Sequence, residues 1–154
     1  MPYYCRALKS HVPSNADMAD LQSLLSQLDL ASPKLTKDRI QQVMANGRVL
    51  VIRHCQMDGG PLRIVAMATL IFKEQMLGRF GSIEDVVVDE KHRQKGLGSW
   101  LTKALIARAE TLGMTHLDLT SRPHRTVANK MYEKLGFTRR DTNVYRFVLK
   151  NKRL

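Results

Sequence analysis

The chain has 154 residues, with 25 Lys+Arg against 14 Asp+Glu and a formal net charge of +11. That length suits a single domain over residues 1–154, and 44% hydrophobic residues supply its core. No apolar run approaches the ~18 residues of a membrane span. Residues 1–6 begin like a strand and lack a signal-peptide apolar region. Cys5 and Cys55 are too few for a disulfide framework and are not spaced for zinc. The expectation is a cytoplasmic protein with reduced thiols, no membrane partner and no metal. The positive excess calls for an anionic partner. It is uneven: residues 1–77 carry 9 Lys+Arg and 6 Asp+Glu, residues 78–154 carry 16 and 8. No helix carries it down one face, and aromatics are only 6%, which argues against nucleic acid.

In chain order, Tyr3–Lys9 reads as a strand. Asn15 or Asp17 caps a helix with Met18, Leu21, Leu24, Leu25 and Leu28 at helical spacing, broken by Ser32-Pro33. Thr36 caps a second helix through Ile40, Val43 and Met44, stopped by Asn46-Gly47. Val49–Arg53 and Arg63–Phe72 are strands joined by a hairpin turn at Asp58-Gly59-Gly60. Lys73–Arg79 reads as a polar loop and Ser82–Val88 as a strand. Leu97–Leu112 is a helix with Leu97, Leu101, Leu105 and Leu112 on one stripe, ended by Gly113. Thr115–Thr120 is a short strand, Arg122-Pro123 a loop, Val127–Leu135 a helix ended by Gly136, and Asn143–Leu149 a last strand. A hairpin meander feeding a βαβ unit predicts an α/β (α+β) fold: a mixed sheet with helices on both faces.

Chemistry concentrates where the Ile83–Val88 strand runs through Asp89-Glu90-Lys91-His92 into Arg93-Gln94-Lys95-Gly96-Leu97-Gly98-Ser99. Gly96 and Gly98 let backbone N–H groups approach a ligand without Cβ obstruction. The helix start adds unpaired donors and partial positive charge, and Arg93 and Lys95 add full charge. The ligand this suits is a pyrophosphate. The pattern is not a Walker loop, and Leu101 stands where a dinucleotide fingerprint needs its third glycine or alanine. His92 is expected at the surface. His11, His54 and His116 are scattered, the eight Met read as core filling, and Trp100 packs on the sheet or at a subunit contact.

The Arg93–Gly98 loop together with Tyr132-Glu133-Lys134-Leu135-Gly136-Phe137 resembles the GNAT superfamily of acyl-CoA-dependent N-acetyltransferases. The resemblance is tight over roughly Gly81–Phe137. It implies a mostly antiparallel twisted sheet with one splayed parallel strand pair, Ile83–Val88 beside Thr115–Thr120. Acetyl-CoA would enter that gap as cosubstrate, with Val86 and Val88 on its pantetheine. Arg93, Gln94, Lys95, Gly96, Leu97, Gly98 and Ser99 would hold its pyrophosphate. The implied reaction is direct acetyl transfer to a primary amine in a ternary complex. Tyr132 matches the tyrosine near the coenzyme sulfur and would protonate the departing thiolate or hydrogen-bond it. Glu84 is the candidate base, because amines have pKa near 10 and the attacking one must lose a proton. A backbone N–H around Val87 would polarise the thioester carbonyl. Ser82, Glu84, Val86 and Val88 share one strand face and Asp85 the other, unless a bulge intervenes.

The chain departs from the pattern in places. Arg125 stands where many members carry a pantetheine-binding Asn, and Asn129 is no obvious substitute. Arg122, His124 and Arg125 make a basic loop that would touch a coenzyme phosphate or an acidic substrate, or only solvent. Gly81–Val88 looks like the matching strand of glucosamine-6-phosphate N-acetyltransferases. Those proteins, however, place Asp-Cys-Ser where this chain has Leu119-Thr120-Ser121, and Asn where it has Ala128. Three readings compete with a small-molecule acetyltransferase: one acting on a protein or peptide amine, a basic nucleic-acid-binding module, and a coenzyme-binding domain without catalysis. Superfamily members often form dimers, and no sequence feature establishes a homodimer here.

Overall fold

The computed structural model describes residues 2–8, 13–55 and 59–149. Their elements are β1 (Tyr3–Ala7), α1 (Asn15–Leu28), α2 (Lys37–Ala45), β2 (Gly47–Cys55), β3 (Leu62–Gln75), β4 (Gly78–Val88), α3 (Leu97–Thr111), β5 (Leu117–Leu119) and α4 (Thr126–Lys134). A short 3₁₀ turn, Glu90–His92, precedes α3. The strands lie in sequence order, antiparallel throughout except for the β4–β5 pair, which is parallel.

The sheet is covered on both faces, as the sequence implied. On one face Leu97, Leu101, Leu105 and Ala109 of α3 pack on Leu50, Ile52, Ala68, Leu70 and Ile83. On the other, Leu21, Leu24 and Ile40 of α1 and α2 pack on Val49, Val51, Met67 and Val87. The alternation of β2 and β4 splits these sets between the two layers. Beneath α1, the buried Asp20 carboxylate accepts from Arg63 Nε (3.0 Å) and from the Ile64 N–H (2.9 Å), which ties the helix to β3.

Several expectations change. The cap of α1 is Ser14, whose hydroxyl accepts the Asp17 N–H at 3.1 Å; neither Asn15 nor Asp17 is the cap. Lys73–Arg79 is no loop: β3 and β4 continue into a hairpin whose turn is Met76-Leu77 alone. Both turn residues are fully exposed, so Met76 is not core filling. The C-terminal strand is absent, since residues 137–149 form neither strand nor helix. Alternation identified a segment able to pair, but no strand lies beside it. Lys9, His11 and Asp58 lie outside the described residues, as do Lys150 to Leu154.

Candidate active site

β4 and β5 pair only over Gly81–Ile83 against Leu117–Leu119. Beyond Ile83 the two strands part. The edge of β4 from Glu84 to Val88 that faces away from β3 therefore has no strand beside it. Its peptide groups on that side, the Val88 carbonyl excepted, are available to an extended ligand.

A bulge shapes the same stretch. Met67 faces Val87 and Thr69 faces Glu84, so Asp85 and Val86 together oppose the single residue Ala68. Asp85 adopts the left-handed conformation, φ 54°, which short polar residues tolerate best. The bulge overturns the expected face-sharing. Glu84 now lies on the α1/α2 side with Val87, while Val86 and Val88 pack toward α3. Ser82, buried, donates its hydroxyl to Glu84 Oε1. Desolvation pushes the Asp85 carboxyl above the usual carboxylate range. The Glu84 charge adds to this and a hydrogen bond with Thr69 opposes it. The Glu84 and Asp85 carboxyl groups thus lie side by side on the stretch of β4 that has no strand on its outer edge.

The cradle follows. Gln94 and Gly96 both have positive φ, 61° and 74°. Gly96 is the N-cap of α3 and offers no side chain to the first turn. The opening amides of a 15-residue helix are left without a side-chain acceptor, the arrangement that binds anions. Arg93 Nε donates to the Val88 carbonyl at 3.1 Å, tying the loop to the end of β4. That carbonyl, expected to serve pantetheine, has an arginine on it. Lys95 Nζ donates to Tyr3 Oη at 3.2 Å. A Cβ on Gly98 would lie 3.4 Å from Met131 Sδ, so α4 sits directly against the helix start.

The loop is braced by residues that the sequence did not single out. Gln27 of α1 donates to Asp89 Oδ2 (3.0 Å) and accepts the Glu90 N–H (3.0 Å). Burial pushes the Asp89 carboxyl up, but the Gln27 and Lys91 N–H hydrogen bonds outweigh it and hold it below the usual range. His92 is buried, contrary to expectation: the 3₁₀ turn packs its ring edge-on to Tyr3 and His54, with Nδ1 3.1 Å from Tyr3 Oη. Burial lowers its pKa, so it stays neutral near pH 7. A glutamine thirteen residues into a helix and a tyrosine at the N-terminus carry no motif; only the tertiary fold brings them to the loop.

Tyr132 lies on α4, half-buried, its ring 5.9 Å from Phe137 in an edge-on contact. Burial raises its pKa above the ordinary phenol value, and Arg125 opposes the rise. Its hydroxyl makes no hydrogen bond to the described residues and stays protonated at neutral pH, as a proton donor must. Arg125 donates to the Leu28 carbonyl at 3.2 Å, anchoring the start of α4 to the end of α1. Asn129 Nδ2 donates to the carbonyls of Arg122 (3.2 Å) and Pro123 (3.4 Å), bracing the basic loop from within. Trp100 is 40% exposed.

A model of the acetyltransferase (GNAT) family matches residues 22–137. Glucosamine 6-phosphate N-acetyltransferase 1 of Oryza sativa subsp. japonica is 27% identical over 139 residues, 83% of this chain and 81% of that enzyme. Among solved structures, a Trypanosoma brucei acetyltransferase is 27% identical, with a TM-score of 0.73 over 96% of this chain and 100% of the other. The glucosamine-6-phosphate N-acetyltransferase of Arabidopsis thaliana is 22% identical, with a TM-score of 0.73 over 96% of this chain and 99% of the other. At that identity the likeness speaks to the fold alone.

Proposed function

The chain belongs to the acetyltransferase (GNAT) family, an acyltransferase family that uses acetyl-CoA, and on that premise we propose that it moves an acetyl group from acetyl-CoA to a primary amine by direct attack. The observation that carries this reading is the join of two features: a β4 edge left open beyond Ile83 and, at its end, a helix whose first turn has no side-chain cap. The first suits an extended amide-bearing chain and the second suits a pyrophosphate. Acetyl-CoA has both, and it supplies the activated thioester.

In this reading Val86, Val87 and Val88 line the pantetheine, and residues Arg93 to Ser99 hold the phosphates. Glu84 takes the proton from the amine nitrogen, directly or through a water. The nitrogen bonds to the acetyl carbon as the carbon–sulfur bond breaks. Tyr132 gives its proton to the departing sulfur and is reprotonated from solvent. A β4 backbone N–H near Val87 holds the carbonyl oxygen as charge develops on it. Arg125 acts by position, because its guanidinium fixes α4, and with it Tyr132, against α1.

The amine is read more finely from the rice relative. Its name makes glucosamine 6-phosphate the first acceptor to assay. Leu119-Thr120-Ser121 and Ala128 mark where the acceptor contacts differ from that pattern. The test is free-thiol release with acetyl-CoA and a panel of amino sugars, amino-sugar phosphates, polyamines, aminoglycosides, amino acids and peptides. Turnover with one class, lowered ~10²–10⁴-fold by Glu84→Gln, is the expected result. No binding of acetyl-CoA by calorimetry would end the proposal. Binding without thiol release on any amine would leave only a coenzyme-binding domain.

A further inference from the structure

The Arg93–Ser99 loop is held from the far side of the sheet. β1 is the edge strand opposite β5, and Tyr3 opens it. In the antiparallel register Tyr3 faces His54 of β2, so both side chains stand on one face of the sheet. Their rings stack at 4.5 Å, which fixes the direction of the tyrosine ring. The Glu90–His92 turn lays the buried His92 ring against both, with centroids 5.9 Å from Tyr3 and 5.1 Å from His54.

The Tyr3 hydroxyl is shared. It lies 3.2 Å from Lys95 Nζ and 3.1 Å from His92 Nδ1. An ammonium only donates, so the oxygen accepts from Lys95. Its own proton is then free to give, and His92 Nδ1 is its acceptor among the described residues. That bond needs an Nδ1 without a proton, as in a neutral imidazole protonated on Nε2. Lys95, Tyr3 and His92 thus form one chain of donors running from the exposed loop to a buried ring.

The backbone at Lys95 needs such an anchor. Lys95 stands between Gln94 and Gly96, both at positive φ. Gly96 adopts that conformation without steric cost and Gln94 does not. A strained residue of this kind keeps its conformation only where its surroundings over-determine it. Arg93 supplies one anchor, on the Val88 carbonyl, and Lys95 supplies the other, on Tyr3.

Resting on the reading of this loop as the coenzyme's pyrophosphate site, we propose that Tyr3 is a positioning residue for it: the hydroxyl ties Lys95 to His92, keeps the loop in its binding shape, and lets go when His92 takes up a proton. A protonated Nδ1 donates and cannot accept, so the Tyr3 proton loses its place. The charged ring would also meet His54 of β2 and Lys91 and Lys95 of its own loop, all of which oppose the charge. Asp89 favours it, and α1 adds the uncharged Gln27, on Asp89 and not on the ring. Burial opposes it most, so proton uptake falls below the ordinary imidazole range. Affinity for the coenzyme declines through that lower range.

Calorimetry with 3′-dephospho-CoA from about pH 5 to 8 reads the effect, because that ligand has no phosphate monoester to titrate near about pH 6. Wild type is expected to bind about tenfold more weakly at the acid end. Tyr3→Phe keeps the ring and its stack on His54. It is expected to bind at the alkaline end as weakly as wild type does in acid, with little further change as pH falls. Followed by NMR without ligand, the His92 ring should titrate at higher pH in Tyr3→Phe, since its neutral form has lost a donor. Tyr4→Phe, on the other face of the same strand, should leave each of these readings as in wild type. Equal affinity of wild type and Tyr3→Phe at the alkaline end, parallel pH curves, or an unmoved His92 titration overturns the proposal and leaves the coenzyme reading standing. No binding to wild type at any pH overturns the coenzyme reading and this proposal with it.

Discussion

Every fully buried apolar side chain among the described residues lies between Leu8 and Ala109, whereas residues 110–149 contribute none. The two regions share one sheet but not one degree of packing. In the first, α1, α2 and α3 close both faces, and the buried Asp20 carboxylate is matched by Arg63 and the Ile64 N–H. In the second, α4 has no buried residue, β5 is three residues long and the tail is bare. The Arg93–Ser99 loop proposed to hold the pyrophosphate stands on the first region, and Tyr132 stands on the second. The loop that opens α3 is therefore supported by the well-packed core. The wall that carries Tyr132 depends on thinner packing.

Core truncation gives the largest expected separation between the two regions. Leu101→Ala empties a site with 0% exposure between α3 and the sheet and should cost about 3 kcal/mol in urea unfolding. Val127→Ala, on a side chain 81% exposed in α4, should cost within about 0.5 kcal/mol. Equal losses at the two positions would show that α4 is packed far more tightly than the contrast allows. Next in size is Asp20→Ala, which leaves the Ile64 N–H without its carboxylate acceptor and Arg63 without its ion partner. A loss of about 2 kcal/mol is expected in the same measurement.

A change at the cradle sharpens the contrast from the ligand's side. Arg93→Ala removes one charge and the hydrogen bond to the Val88 carbonyl from an exposed loop. Stability should hold within about 0.5 kcal/mol, while acetyl-CoA should bind about tenfold more weakly by calorimetry. 3′-Dephospho-CoA run alongside separates loss of the pyrophosphate contact from loss of the 3′-phosphate. If Arg93→Ala bound both coenzymes as wild type does, the cradle would not be the phosphate site.

These residues also mark what could be read without coordinates. The Leu97–Leu105 stripe, the Gly96 and Gly98 turn and the Thr36 cap are local: each follows from spacing within one element, and each stands where the pattern put it. Ser14 was missed because several cap-competent residues sit together, and the order of chain entry decides among them. The bulge at Asp85 could not be read, because a two-residue alternation is blind to an inserted residue that belongs to a pairing between strands. His92 and Gln27 were misjudged or missed for a related reason: their partners lie 89 and 63 positions away, at Tyr3 and Glu90. The segment 143–149 has the strongest strand character of the C-terminal part, yet no strand lies beside it among the described residues. Pattern reports the capacity to pair and is silent on whether a neighbouring strand is there to pair with.

The smallest effect falls on the bulge, at the boundary between the two regions. The folded state raises the Asp85 carboxyl above its unfolded value, through burial first and the Glu84 charge second. Between the unfolded and folded pKa values the native chain binds more protons than the unfolded one. Stability therefore declines as pH rises through that interval, and the cost is carried in full at neutral pH. Asp85→Asn removes the titration and keeps a residue type that accepts the left-handed conformation. The variant should melt slightly above wild type at pH 7, and the gap should close as pH falls through the usual carboxylate range. Catalysis divides the two carboxyl groups in the same experiment. With Glu84 as the base, Asp85→Asn keeps the acidic limb of the kcat/KM profile and Glu84→Gln abolishes it. The reverse pattern would move the base to the bulge residue itself.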